Sequence, residues 1–240
     1  MPNSYFQFKQ FTVQQDRSAM KVCTDACVQG AFTAWNLAGA GNNIAQILDI
    51  GTGTGLLSLM LAQQLPAAIT GIELDPAAAA QAQENFAASP WAERLRVVPA
   101  DIRELPAAEL YDFIITNPPF YEGSLKSGDV LRNQAMHATS LGYRELLQSI
   151  AVHLRAEGRF SVLLPYAAFP AFRQLAADAG FFPQQVLEVK QSVRHDHFRV
   201  VGIFGRDKLQ PELSSLIIYD ENNVYTPAFR ALLQPYYLYL

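Results

Sequence analysis

Short apolar runs bounded by turn residues alternate with longer stretches of helical period along most of this chain. "QILDIG" (46–51), "AITGIELD" (68–75), "LRVVPA" (95–100) and "YDFIIT" (111–116) read as buried strands. Between them, "LLSLMLAQQL" (56–65) predicts a helix closed by Pro66, and "PAAAAQAQENFAA" (76–88) a helix capped by Asp75 with Pro76 in its first turn. The series continues with a helix over 143–158, a strand over 159–165, a helix over 167–180 and strands near 185–193 and 198–205. No helical stretch separates the last two, so they predict an antiparallel pair. Upstream, "TDACVQGAFTAWNLAG" (24–39) predicts a helix with Thr24 as its cap and Gly39 as its stop. Before it stand Phe6, Phe8 and Phe11 in near alternation. The last residues, from "LIIYDENNVY" onward, predict a small hairpin and a final helix.

Strands that alternate with helices predict an α/β fold. The sheet is mostly parallel, seven-stranded, covered by helices on both faces, with an antiparallel last strand at its edge. One domain is expected, divided into an N-terminal segment (1–40), a core (41–206) and a C-terminal hairpin and helix (207–240). In such sheets the ligand crevice lies beyond the C-terminal strand ends. The chemistry is therefore sought after residues 50, 74, 100 and 116. A connection of 26 residues (117–142) follows the fourth of these ends. Connections that long in a compact domain are usually functional or mobile.

Composition narrows the picture. The chain has 240 residues, half of them apolar and 17% charged, which suits a packed core and not a disordered protein. The formal net charge of −4 gives no global attraction to nucleic acid, so such a partner needs a local basic face. Two cysteines, Cys23 and Cys27, are spaced i, i+4 and read as small buried side chains in a reduced compartment. With no leader-like start and no apolar run of membrane length, a cytoplasmic protein is expected, without a membrane partner.

The strand ends carry the candidate chemistry. "DIGTGTG" (49–55) places Gly51, Gly53 and Gly55 two apart, which permits a tight turn and close approach of a ligand to the backbone. The spacing departs from the dinucleotide fingerprint, whose third glycine falls three residues after the second. Asp49 can anchor this loop or face a cationic amine. Glu73, about 20 residues after the loop, suits the two hydroxyls of a ribose, whereas Asp75 is accounted for as a helix cap. Asp101 in "ADIREL" either caps its loop or accepts from an adenine amino group. After the fourth strand comes "NPPF" (117–120). Pro118 keeps Asn117 extended, and Pro118 and Pro119 have fixed φ and no N–H. This stiff corner offers the Asn117 side-chain oxygen and the Pro118 carbonyl to one NH₂ group. Phe120 can stack on the flat ring that bears it.

Together these motifs resemble the class I S-adenosylmethionine-dependent methyltransferases that act on amino groups. "DRSAMKVCTDACVQGAF" near the start and "IIYDENNVYTPAFRALLQPYYL" at the end extend the resemblance, over nearly the whole chain, to the bacterial tRNA (adenine-N6)-methyltransferases acting beside the anticodon of a valine tRNA. The resemblance implies a Rossmann-like fold, S-adenosylmethionine as cofactor and tRNA as partner. It implies Gly51, Gly53 and Gly55 beside the methionine part of the cofactor, Glu73 on its ribose, and Asp101 and Ile102 at its adenine. Lys21, Thr24 and Asp25 match a segment that closes over the cofactor. Asn117, Pro118 and Phe120 match the catalytic motif, with Asn117 also expected at the cofactor and adenine 37 of a valine tRNA as the implied target.

Other classes share this pattern. A release-factor glutamine-N5 methyltransferase usually has tyrosine in place of Phe120, and a ribosomal RNA guanine-N2 methyltransferase can carry "NPPF". A silent nucleotide- or RNA-binding module is the non-enzyme reading. Lys126, Arg132, Arg194 and Arg199 are candidates for the local basic face, with Arg144 and Lys190 behind them. His195 and His197 alternate without a third ligand, so no metal is expected. The C-terminal "YYLYL" is expected to pack on the domain, and a monomer is expected.

Overall fold

A computed structural model of the chain describes residues 3–39, 44–106, 109–119 and 141–240. The alternating pattern becomes an eight-stranded sheet. Its strands are β3 (Gln46–Ile50), β4 (Ala68–Glu73), β5 (Leu95–Pro99), β6 (Tyr111–Thr116), β7 (Leu154–Pro165), β8 (Phe182–Ser192), β9 (His197–Gly205) and β10 (Glu212–Tyr219). A separate two-stranded hairpin, β1 (Tyr5–Gln7) and β2 (Thr12–Gln14), precedes them. The described helices are α1 (Thr24–Gly39), α2 (Leu56–Gln64), α3 (Pro76–Ala87), α4 (Tyr143–His153), α5 (Phe169–Asp178) and α6 (Pro227–Leu233).

The strand order is β10-β8-β9-β7-β6-β3-β4-β5. From β3 the chain steps outward to β4 and β5, then returns to lay β6 on the other side of β3. This reversal is the switch point at which a crevice opens beyond the strand ends. The strands are apolar on both faces. Ile47, Phe113 and Ile115 point into a core shared with α1, α2, α3 and α6, whereas Leu48 and Ile114 point into one shared with α4 and α5. Alternation at a period of two residues thus feeds both layers. Full burial of each such side chain contributes roughly 1.5–3 kcal/mol.

Three expectations about the sheet are corrected. The antiparallel strand β9 does not lie at the edge; it sits inside the sheet, paired with β7 and β8. The sheet has eight strands, because Glu212–Tyr219 pairs in parallel with β8 where a hairpin was expected. One antiparallel bridge, Tyr219 to Tyr225, is what remains of that hairpin. The helix expected over 143–158 ends at His153. Leu154 is already extended and the chain enters β7 five residues early, because Leu154 takes a ladder position opposite Tyr111. The pairing partner outweighs the helical propensity of "LRAE".

The ends of the chain meet. Phe8 stacks on Phe11 with ring centroids 4.5 Å apart and bridges to Tyr237, and Tyr236 is fully buried with its hydroxyl donating to the Met60 carbonyl at 3.2 Å. Tyr239 is exposed. No described helix is long and apolar enough to cross a membrane. Cys23 and Cys27 are free, and burial pushes both thiols up to about 12, which leaves them inert at neutral pH.

Candidate active site

The C-terminal ends of β3, β4, β5 and β6 enclose a cleft of about 540 Å³. That size suits a nucleoside-sized ligand. Its floor is the glycine loop. Gly51, Gly53 and Gly55 all have positive φ, at 71°, 55° and 82°, a region that costs other residues strain. The amides of Gly51 and Thr52 both donate to the Ile72 carbonyl, at 2.9 and 3.0 Å, and tie the loop to β4.

The three glycines do different work. A side chain at Gly51 would meet nothing within 4 Å, and one at Gly53 would come no nearer than 3.8 Å to the Ser18 hydroxyl. Both line the cleft, so their bare backbone leaves space for a ligand. Gly55 is a packing glycine. A Cβ there would lie 2.5 Å from the Phe86 ring.

Asp49 is fully buried beneath the loop. Its Oδ2 accepts from the Thr52 and Ser58 hydroxyls, each at 2.7 Å, while Oδ1 has no partner among the described residues. The anchoring role therefore holds in this structure, and the carboxylate does not line the cleft. Burial pushes its pKa up to about 6 from 3.8, against the lowering effect of the two hydroxyls. A carboxyl raised on folding favours the folded state below its unfolded pKa, and that contribution is lost as pH rises through the folded value. Stability should accordingly fall between about pH 4 and pH 6, by about 3 kcal/mol. In Asp49→Asn this slope should flatten when melting is followed from pH 4 to pH 7.

Glu73 ends β4 at the lip of the cleft. Its two oxygens accept from the Gly53 amide at 2.8 Å and the Asp75 amide at 3.0 Å. A carboxylate has about four lone-pair sites, so Glu73 keeps capacity for a diol. Asp75 caps α3 through the Ala77 amide, as its sequence context predicts. Asp101 also lines the cleft, with both oxygens held by the Arg103 guanidinium at 2.6–3.0 Å. These bonds hold the Asp101 carboxyl below its ordinary value and raise Arg103. Arg103 reaches further to Glu145 on α4, at 3.5 Å. Ile102 is buried in the cleft wall.

The roof comes from the segment after β2, part of the stretch "DRSAMKVCTDACVQGAF" whose resemblance implies closure over the cofactor, although Ser18, Ala19 and Met20 were not singled out within it. Ser18, Ala19 and Met20 line the cleft. The segment is strapped down by α3. Asn85 exchanges bonds with the Gln14 backbone and donates to the Thr54 carbonyl at 2.9 Å, and Gln81 accepts from the Arg17 amide. Arg17 pairs with Glu84. The Lys21 ammonium donates to the carbonyls of Gln15 and Ser18, so it stiffens the strap without lining the cleft. Thr24 is the first residue of α1 and is not its cap; the Cys23 carbonyl accepts the first helical bond. It too is absent from the cleft's described lining.

At the far end of the cleft stand Asn117, Pro118 and Pro119. The Asn117 side-chain oxygen is buried and has no hydrogen-bond partner among the described residues. An acceptor left in that state requires an explanation, and a ligand amine supplies one. Phe120, Lys126 and Arg132 lie outside the described residues, as does most of the long connection.

Of the remaining candidate cations, Arg199 pairs with Asp25 at 2.8 Å and joins β9 to α1. Arg194 is exposed in the turn between β8 and β9, with one bond to the Glu221 carbonyl at 3.3 Å. Because β9 runs antiparallel, this turn lies on the same sheet edge as the cleft. His195 bonds Ser192, and His197 pairs with Glu188 and stacks on Tyr166, so the two histidines have separate partners. Among the described residues no group of three His, Cys, Asp or Glu side chains could hold a metal.

The residues fit the cofactor that the resemblance implies. Gly51 and Gly53 leave a cradle that a Cβ would fill, Glu73 presents a carboxylate over it, and Leu74, Ala78 and Ile102 give an apolar wall for a flat base.

A family model described as "Methyltransferase small domain" matches residues 36–162. A protein of Dyadobacter fermentans named tRNA1(Val) (adenine(37)-N6)-methyltransferase is 41% identical over 98% of both chains. One of the same name from Cytophaga hutchinsonii is 40% identical over the full length of both. Among solved structures, a predicted O-methyltransferase of Agrobacterium tumefaciens superposes with a TM-score of 0.65 at 17% identity, covering 88% of this chain and 96% of the other. That likeness bears on the fold.

Proposed function

Because this chain belongs to the methyltransferase small-domain family, with the tRNA1(Val) (adenine(37)-N6)-methyltransferases as its full-length relatives, we propose that it methylates the exocyclic N6 of adenine 37 in a valine tRNA. S-adenosylmethionine, when bound, supplies an electrophilic methyl group on a sulfonium. Gly51, Gly53 and Glu73 would hold its amino-acid and ribose portions, and Ile102 would cover the adenine face, with Asp101, oriented by Arg103, at its edge.

The observation that carries the reading is the buried, unpartnered Asn117 oxygen at the end of the cleft. An aromatic amine is a poor nucleophile because its lone pair is delocalised into the ring. The Asn117 oxygen and the Pro118 carbonyl accept the two N–H groups of the target amine. This draws the nitrogen toward a tetrahedral shape and frees the lone pair. Both bonds strengthen as positive charge develops on nitrogen, so they favour the transition state over the bound substrate. As the N–C bond forms the S–CH₃ bond breaks to a neutral thioether, and the methylated nitrogen then loses one proton to water. The prolines keep the two acceptors in place before the substrate arrives, and alignment of two bound reactants contributes much of the remaining rate. Phe120 stacks on the base, which must leave its own stack to enter. Lys126, Arg132 and the exposed Arg194 contact RNA phosphates. Arg199 serves first as the partner of Asp25.

The test is incubation of the protein with methyl-labelled S-adenosylmethionine and total tRNA, ribosomal RNA or release factor. Label recovered as 6-methyladenosine in tRNA is the expected result. Label in guanine or in a release-factor glutamine would assign the site to another amine, and no label in any substrate would make the chain a binding module.

A further inference from the structure

Helix α1 carries a fully buried glutamine, Gln29, in a stretch whose other side chains from Ala26 to Ala31 are apolar or absent. Its amide nitrogen donates to the Thr116 carbonyl at 2.9 Å and approaches the Ser161 hydroxyl at 3.5 Å. Thr33, one turn further along α1, bonds the same Ser161 hydroxyl at 2.8 Å. The Gln29 oxygen has no partner among the described residues. Burying a polar amide is unfavourable unless it is bonded, and leaving half of it unsatisfied is more so. A leucine would fill this volume in the core without that penalty. A leucine would, however, leave the buried Thr116 carbonyl without this donor, so the reason for a glutamine lies in the residue it grips.

Thr116 is the last residue of β6 and immediately precedes Asn117. Its carbonyl shares one rigid peptide plane with the Asn117 amide. Gln29 fixes that plane from below, and the Thr116 hydroxyl adds a bond to the Ile50 carbonyl at 3.0 Å. On the other side, Pro118 restricts Asn117 to extended conformations. The backbone of Asn117 is thus held at both ends, once by a proline and once by a side chain from a helix 87 positions earlier in the chain.

We propose that Gln29 is a positioning residue for Asn117: it sets the Thr116–Asn117 peptide so that the Asn117 oxygen meets the target amine in the right place. The inference rests on the reading of Asn117 as an acceptor for that amine. Since α1 also ends the strap that roofs the cleft and is tied to β9 through Asp25 and Arg199, this one bond joins the cofactor side of the molecule to the catalytic corner. Small displacements of a reacting group are costly. A misplacement of about 1 Å can lower a rate on the order of 100-fold.

The experiment is a steady-state comparison of wild type, Gln29→Leu and Thr33→Val on tRNA, with cofactor affinity and melting temperature measured alongside. Gln29→Leu keeps the volume and removes the donor. The expected result is a kcat about 10- to 100-fold below wild type, with the KM for tRNA and the cofactor Kd within about threefold. Thr33→Val breaks the neighbouring bond to Ser161 and leaves the Thr116 bond intact, so its kcat should stay within about twofold of wild type. A Gln29→Leu enzyme with wild-type kcat overturns the proposal. So does a loss of kcat that is matched by Thr33→Val, or one accompanied by an equal loss of cofactor affinity and a lower melting temperature, since each marks a structural role. If Gln29→Leu does not fold, Gln29→Met, which is of similar length and has no donor, is read the same way. Failure of wild type to methylate tRNA would reject the functional reading itself, which keeps the two failures apart.

Discussion

Asn117→Ala should lose methyl transfer by roughly 100- to 1,000-fold in kcat while binding S-adenosylmethionine within a few-fold of wild type, as expected when one preorganised charge-stabilising group is removed from a reaction centre. The cofactor contacts proposed on the glycine loop, on Glu73 and on the wall around Ile102 are made without the Asn117 side chain. Stability should hardly change. The Asn117 oxygen has no donor among the described residues, so its removal orphans none of them. The corner itself is kept rigid by Pro118 and Pro119. Titration of cofactor by calorimetry and single-turnover transfer to tRNA separate the two effects. Near-normal turnover of the variant would remove Asn117 from the chemistry.

Gly53→Val should do the reverse and abolish cofactor binding, by more than about 100-fold in Kd, with the fold retained. Gly53 has a φ of 55°, where a β-branched residue is strained by about 1–2 kcal/mol, and its side chain would project into the cleft toward Ser18. The neighbouring Gly55→Ala separates these causes within one motif. There the added methyl strikes the Phe86 ring, so stability should fall through overpacking by about 1–3 kcal/mol, seen as a lower melting temperature, with no group added to the cleft. Equal cofactor affinity in wild type and Gly53→Val would show that the loop is not the floor of the binding site.

Much of this was legible before the fold was seen. Alternating strand and helix signals place the four strand ends, and the residues at those ends, Gly51, Gly53, Glu73, Asp101, Ile102, Asn117 and Pro118, do line one cleft. Local rules suffice there, because a strand end, a glycine turn and an X-Pro corner are each decided within a few residues. The sequence left Asp49 two roles, loop anchor or ligand contact, and did not reveal the packing role of Gly55. Both occupy motif positions, yet one lies under the loop and the other against Phe86, and only the packing of α2 and α3 distinguishes a buried anchor from an exposed contact. Arg103 stands two residues after Asp101 in plain view, but its grip on that carboxylate depends on the loop between them.

The sequence alone determined the order of elements, the parallel sheet, the glycine loop and the stiff Asn-Pro-Pro corner, because hydrophobic period and backbone restriction are local properties. Tertiary structure alone decided what those pieces meet. It set β9 inside the sheet and β10 beside β8, because strand partners are chosen by pairing across the chain. It laid Ser18–Met20 over the cleft through Asn85 and Gln81, and it brought Gln29 beneath Thr116. Each of these depends on contacts between residues far apart in sequence, and hydrophobic pattern records that a side chain is buried without recording against what.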